Sequence, residues 1–251
     1  MRYIDKQFQF RQQVDGLTDR RVAPPIPIQA IFLSAFLMFV CRYRSLNALD
    51  IDLHNKKRQW PTVIGKRPPS GDRIGRVMDE QVHAEELRQI QDRLVKRAQR
   101  MKALHLRVGF RRRVGAVDGH ELFATRHKCC DGCLRRWLLV NGHIELEYCH
   151  RIVVFELVGL EPSVLVDLEP VLPREDEVAA AIRLLYRVFK RYPRICDVVV
   201  ADAAYQESYF FRYLWEMGKR TVAVLKDQRR DVFKDAAGML PHREPVKVVT
   251  E

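Results

Sequence analysis

Two aspartates stand at the ends of short apolar runs, Asp118 in GAVDGHEL and Asp202 in VVVADAAY. In open α/β sheets, polar groups at the carboxyl ends of neighbouring buried strands converge on one crevice, so two such acids meet there if their strands are adjacent. Two carboxylates are half of a site for Mg²⁺ or Mn²⁺, hard cations usually held by one or two carboxylates plus substrate phosphates. Metal ions held in this way activate a water or a DNA 3′-hydroxyl and stabilise the leaving oxygen of an in-line displacement. Both residues also have structural readings: Asp118-Gly119 is a turn dipeptide, and Asp202 can cap the helix that follows it.

A second constellation is rich in soft ligands: His127, Cys129, Cys130, Cys133, Cys149 and His150. The Cys-x₂-Cys spacing of Cys130 and Cys133, joined by His127 and Cys149, gives the four nitrogen and sulfur ligands of a tetrahedral structural zinc. Cys149 and His150 are adjacent in a predicted strand and point to opposite faces, so at most one of them joins. The competing reading is a group of buried or free thiols. A thioredoxin-like redox pair is disfavoured because no strand leads straight into the motif. The amino-terminal MRYIDK lacks the early apolar stretch of a secretory leader, so the six cysteines are expected to be reduced thiols or metal ligands.

The chain of 251 residues carries 44 Lys and Arg against 32 Asp and Glu, a net charge of +12, and a balance that favours polyanionic partners. From Arg93 to Arg113 there are nine basic residues and no acid. Arg93, Lys96, Arg97, Arg100, Arg111, Arg112 and Arg113 are the candidate DNA contacts. A solvated helix face followed by a linker is the alternative. Basic residues would hold double-stranded DNA while the acids hold the metal that cuts it. No phosphate-cradling glycine loop, Gly-x-Ser-x-Gly elbow or dinucleotide fingerprint occurs.

The elements that must position these groups fall into two parts, a helical region over residues 1–108 and an α/β region over 109–251. Uncharged VAPPIPIQAIFLSAFLMFVC is broken by prolines, and its remainder from Ile28 to Cys41 is shorter than the roughly 18 residues of a membrane span. A buried helix is therefore expected there, and no membrane partner. Further helices are predicted over Ser45–Leu53, from Ser70 or Asp72 onward, and over Leu87–Met101, where apolar residues recur every three or four positions. Strands are predicted at Val114–Val117, Tyr148–Val158, Val164–Leu168, Cys196–Ala201 and Thr221–Leu225. Helices separate the later ones, starting at acids Glu175, Asp176 and Glu177 and again near Gln206. Strands, helix, strand, helix, strand make a mixed α/β sheet.

The segments PPSGDRIGRVMD, AVDGHEL, CCDGCLRR, EYCHRIVVFELVG, EDEVAAAIRLLYRVF, DVVVADAAY and AVLKDQRRDVFKDA, in this order and over nearly the whole chain, resemble bacterial insertion-sequence transposases of the DDE superfamily. That resemblance implies an RNase H-like sheet with flanking helices, Mg²⁺ or Mn²⁺ as cofactor, and cleavage and joining of DNA at transposon ends. It also implies a bacterial cytoplasmic protein at the nucleoid, able to form homo-oligomers. The first catalytic Asp of the family matches Asp118 and the second matches Asp202. The third acid, a Glu on a helix beyond a further insertion, has no counterpart, and Glu216, Glu244 and Glu251 are not assigned to it. The expectation is a carboxyl-terminally truncated, incomplete catalytic domain that keeps DNA and metal affinity but cuts little. The alternative is a non-enzymatic DNA-binding remnant that occupies ends or joins intact transposase subunits.

Overall fold

The computed structural model describes residues 1–55, 60–109, 111–225 and 231–239. Two compact units divide the chain, Met1–Ala103 and Leu104–Glu251.

The first unit is helical: α1 (Arg2–Phe8), α2 (Phe10–Asp15), α3 (Ile28–Val40), α4 (Leu46–Leu53), α5 (Pro61–Ile64), α6 (Gly71–Gln81) and α7 (Ala84–Arg100). The prolines before Ile28 do what their fixed φ and missing donor require, which is to stop at the helix entrance. Asp19 supplies the missing cap, taking the Ile28 amide at 2.9 Å while paired with Arg21 at 2.7 Å. The Arg21 guanidinium holds the Asp19 carboxyl below its ordinary value. Ile28, Ile31, Leu33 and Leu37 of α3 are buried against Phe10, Val14, Leu49, Ile74 and Val77. Among the described residues no helix is long and apolar enough to cross a membrane.

The second unit is built on a six-stranded mixed sheet: β1 (Val114–Thr125), β2 (Leu134–Val140), β3 (His143–Val158), β4 (Val164–Pro170), β5 (Val198–Ala201) and β6 (Arg220–Ala223). Its order is β2-β3-β1-β5-β6. The long β3 pairs with β1 along one side, and with β2 and then β4 along the other, all antiparallel. β5 runs parallel to both β1 and β6. Helices α8 (Glu177–Arg191) and α9 (Ser208–Glu216) make the crossovers that parallel strands need, and α10 (Asp231–Met239) follows.

α8 begins where its acids demand: Asp176 accepts the Ala179 amide at 2.6 Å, and Lys190 and Arg191 lie in the last turn. Its stripe of Val178, Leu184, Leu185, Val188 and Phe189 is buried over the sheet face that carries Val117, Val153, Phe155 and Leu157. Gly115 has no room for a side chain, because an added Cβ would lie 2.3 Å from the Phe155 ring. β1 is three times the length expected from its apolar run, since its polar second half keeps pairing with β3 from Glu121↔Arg151 to Thr125↔Tyr148. β2 has no sequence-predicted counterpart.

Candidate functional site

The parallel pairing of β1 and β5 brings the two aspartates to one end of adjacent strands. Its last pair is Val117↔Ala201; Asp118 follows within β1, and Asp202 follows directly after the end of β5. Asp118 is not in a turn: it pairs with Val154 of β3 inside the ladder, and its side chain is exposed. Among the described residues no hydrogen bond or ion pair engages its carboxylate. Asp202 does act as a cap, accepting the Ala204 amide at 2.8 Å at the start of the single 3₁₀ turn Ala203–Tyr205. An aspartate has lone pairs to spare for a second partner, so the cap leaves a ligand role open.

A third carboxylate reaches this end of the sheet. Glu177 is the first residue of α8, and its carboxyl covers Gly119, where an added Cβ would lie 2.1 Å from Glu177 Cδ. The fully buried Tyr205 donates its hydroxyl to Glu177 Oε1 at 2.8 Å. Burial first, then the bond to Glu177, then the negative charges of Glu177, Asp118 and Asp202 push the Tyr205 phenol well above its ordinary value. It therefore stays protonated and works as a fixed donor among three acids. Sequence reasoning read Glu177 only as a helix-start acid. Its approach to the aspartates follows from the packing of α8 on the strand, which no spacing along the chain announces.

Carboxylate oxygens at an exposed end of the sheet suit a hard divalent cation. Asp118 and Asp202 could hold it, and Glu177, with Oε1 bonded to Tyr205, keeps its second oxygen beside them. Of the other acids weighed for the site, Glu216 is exposed at the end of α9, and Glu244 and Glu251 lie outside the described residues.

Cys130 and Cys133 come together in the β1–β2 connection, Sγ to Sγ at 3.6 Å. Their partner is His150, whose Nε2 is 3.2 Å from each sulfur. Cys149 is buried on the opposite face of β3, and His127 is exposed outside this group. All six cysteines are free thiols.

The seven candidate DNA contacts divide between the units. On α7, Arg93 donates to Gln13 Oε1 at 2.8 Å, Lys96 pairs with Asp92 at 2.8 Å, Arg97 donates to the Gln7 carbonyl, and Arg100 reaches the Lys96 carbonyl at 3.4 Å. In the second unit, Arg113 is tied to Asp197 through its amide and to the Arg194 carbonyl through its guanidinium. Arg111 and Arg112 are exposed, and no described residue engages them.

No family model and no curated protein matches the chain. Among solved structures, a piggyBac transposase synaptic complex with hairpin DNA is similar at 12% identity and a TM-score of 0.44, over 93% of this chain and 51% of that one. A simian T-cell lymphotropic virus intasome in complex with the PP2A regulatory subunit B56 gamma is similar at 12% identity and a TM-score of 0.27, over 55% of this chain and 42% of that one. The chain thus spans about half of each protein it resembles. At these scores the likenesses carry no argument about the site, which stands on its own geometry.

Proposed function

We propose that the second unit is an RNase H-like catalytic domain of a DDE-type transposase, in which Asp118 and Asp202 hold Mg²⁺ or Mn²⁺ for cleavage and transfer of DNA strands at transposon ends. The observation that carries this reading is the Val117↔Ala201 pairing, which sets the two acids side by side at one end of parallel strands. The path β2-β3-β1-β5-β6, three antiparallel strands followed by two parallel ones, with β4 added beside β3 and with α8 and α9 as crossovers, suits that domain.

The metal would supply Lewis-acid stabilisation of charge developing on a scissile phosphate. The residues of the chain do the rest. Asp118, free of partners among the described residues, offers its carboxylate outward, and Asp202 is held in one orientation by the Ala204 amide. Tyr205 fixes the Glu177 carboxylate, which adds negative potential beside the two aspartates and so favours a cation there. Of the seven candidate contacts, Arg111 and Arg112 are those that no described residue engages, and they would meet DNA phosphates.

Titration of the 251-residue chain with Mn²⁺, read as loss of the free-ion electron paramagnetic resonance signal, tests the ligands. Binding that drops at least about tenfold in Asp118→Asn and in Asp202→Asn is expected, a scale typical of damage to a metal shell. Unchanged binding in both variants would remove the acids from the account.

A second reading, DNA binding without chemistry, is favoured by the capping role of Asp202 and the unengaged Arg111 and Arg112. It predicts DNA affinity that is indifferent to Asp118→Asn.

A further inference from the structure

Cys130 Sγ, Cys133 Sγ and His150 Nε2 form a triangle with sides of 3.6, 3.2 and 3.2 Å. Zinc–sulfur bonds of about 2.3 Å and zinc–nitrogen bonds of about 2.05 Å, at tetrahedral angles, separate two sulfurs by about 3.8 Å and sulfur from nitrogen by about 3.6 Å. The triangle is therefore a few tenths of an ångström smaller than a zinc-filled face. It is much too wide for a disulfide, whose sulfurs lie about 2.05 Å apart.

Three further features arrange the corner. The connection bends back on itself, with the Cys133 amide on the Cys130 carbonyl at 3.1 Å. The Cys130 amide points at Cys133 Sγ from 3.2 Å, a donor that a thiolate would use. The Phe123 ring stacks on His150 with centroids 5.0 Å apart and an angle of 20°, which fixes the imidazole plane. Among the described residues this is the one group of three or more His, Cys, Asp or Glu ligand atoms that lie within 4.8 Å of one another.

We propose that Cys130, Cys133 and His150 bind one Zn²⁺, which ties the β1–β2 connection to β3. Two thiolates and an imidazole select zinc over the oxygen-loving Mg²⁺ and Mn²⁺. The role is structural. The eight residues Arg126–Cys133 join two strands of an exposed sheet end with little apolar burial of their own, and an ion bound there fixes the second half of the connection to β3. Cys129, on the same stretch, or a water closes the fourth corner. The site is independent of the acid pair and stands or falls without it.

The test uses the full chain, purified without a histidine tag and loaded with Zn²⁺ alone. One zinc per chain is expected. Cys130→Ser, Cys133→Ser and His150→Ala should each lose stoichiometric metal, while Cys41→Ser and Cys149→Ser keep it. Because a ligand variant can fail by misfolding, Co²⁺ is added to the unaltered chain. A thiolate-to-cobalt charge-transfer band with tetrahedral visible bands supports the site. Zinc should also protect Cys130 and Cys133 from alkylation while exposed Cys41 reacts at its usual rate. Weaker binding in Cys129→Ser would assign the fourth corner to that thiol, and unchanged binding would assign it to water; either supports the three-ligand site. Absence of zinc, a cobalt spectrum without thiolate charge transfer, or metal kept by His150→Ala and lost by Cys149→Ser would overturn it.

Discussion

Asp118 sits between two glycines that each admit a neighbour, Phe155 over Gly115 and Glu177 over Gly119. Gly115→Ala forces a methyl into a buried ring and should destabilise the second unit by about 1–3 kcal/mol in urea unfolding, the usual cost of overpacking. Gly119→Ala meets the end of a flexible side chain instead, so a smaller loss is expected, together with displacement of the Glu177 carboxyl from its place over Gly119. Asp118→Asn should leave the unfolding midpoint within the scatter of surface substitutions, about 0.5 kcal/mol, because its carboxylate engages nothing described. A loss of several kcal/mol would mean that Asp118 is a structural residue. The two aspartates were legible because each closes an apolar run, and a buried strand aims its last residue at the sheet end. Glu177 was not, since a helix-start acid and a site acid look alike in sequence. For the Cys/His group, strand alternation already said that only one of Cys149 and His150 could lie beside Cys130 and Cys133; that it is His150 required knowing that Cys149 is buried on the other face of β3.

At the scale of elements, α8 is fastened to β4 by charge. Arg187 pairs with Asp167 at 2.7 Å and Glu169 at 2.5 Å, and Arg183 reaches Glu169 at 2.8 Å and also Glu175. Arg187→Ala takes one guanidinium from two largely buried carboxylates, of which Glu169 keeps Arg183, and should lower the denaturant midpoint of the second unit. The same network sets an acid limit. Burial alone would raise Glu175, but Arg183 outweighs it and holds the group below 4.5. Bonds from Arg136 and then Arg151 hold Glu121 below the same value, against some burial. A depressed carboxyl contributes stability that is complete above its unfolded value and is lost as pH falls through the folded one. The thermal midpoint of the second unit should therefore hold above pH 4.5 and drop below it, and a midpoint that rises on acidification would contradict the assignment. Helix α8 and strand β5 were readable from caps, charge placement and an unbroken apolar run. β2 was missed because LRRWLLV leaves Trp137 and Leu139 exposed, which mimics neither a buried strand nor a polar-out one. The length of β1 was missed because its polar half is held by pairing with β3, a long-range cause.

For the whole molecule, a net charge of +12 favours polyanionic partners, yet the basic run from Arg93 to Arg113 is divided between the two units. Its first half lies on α7 in one unit, where Arg93, Lys96, Arg97 and Arg100 are engaged by neighbouring groups, and its last residues belong to the other unit. Charge counting could find the run but not its partners. Replacing Arg111 and Arg112 together by alanine should weaken DNA binding uniformly across sequences and lower the salt slope by about 2, roughly one per phosphate contact. An unchanged slope would shift the DNA surface elsewhere. The most direct test of the account joins metal and DNA: the affinity of the chain for a DNA duplex, read by fluorescence anisotropy at fixed ionic strength with and without Mn²⁺. The account predicts that Mn²⁺ tightens binding by the unaltered chain and has no such effect on the Asp118→Asn, Asp202→Asn double variant; an equal Mn²⁺ effect on both, or none on either, would contradict it.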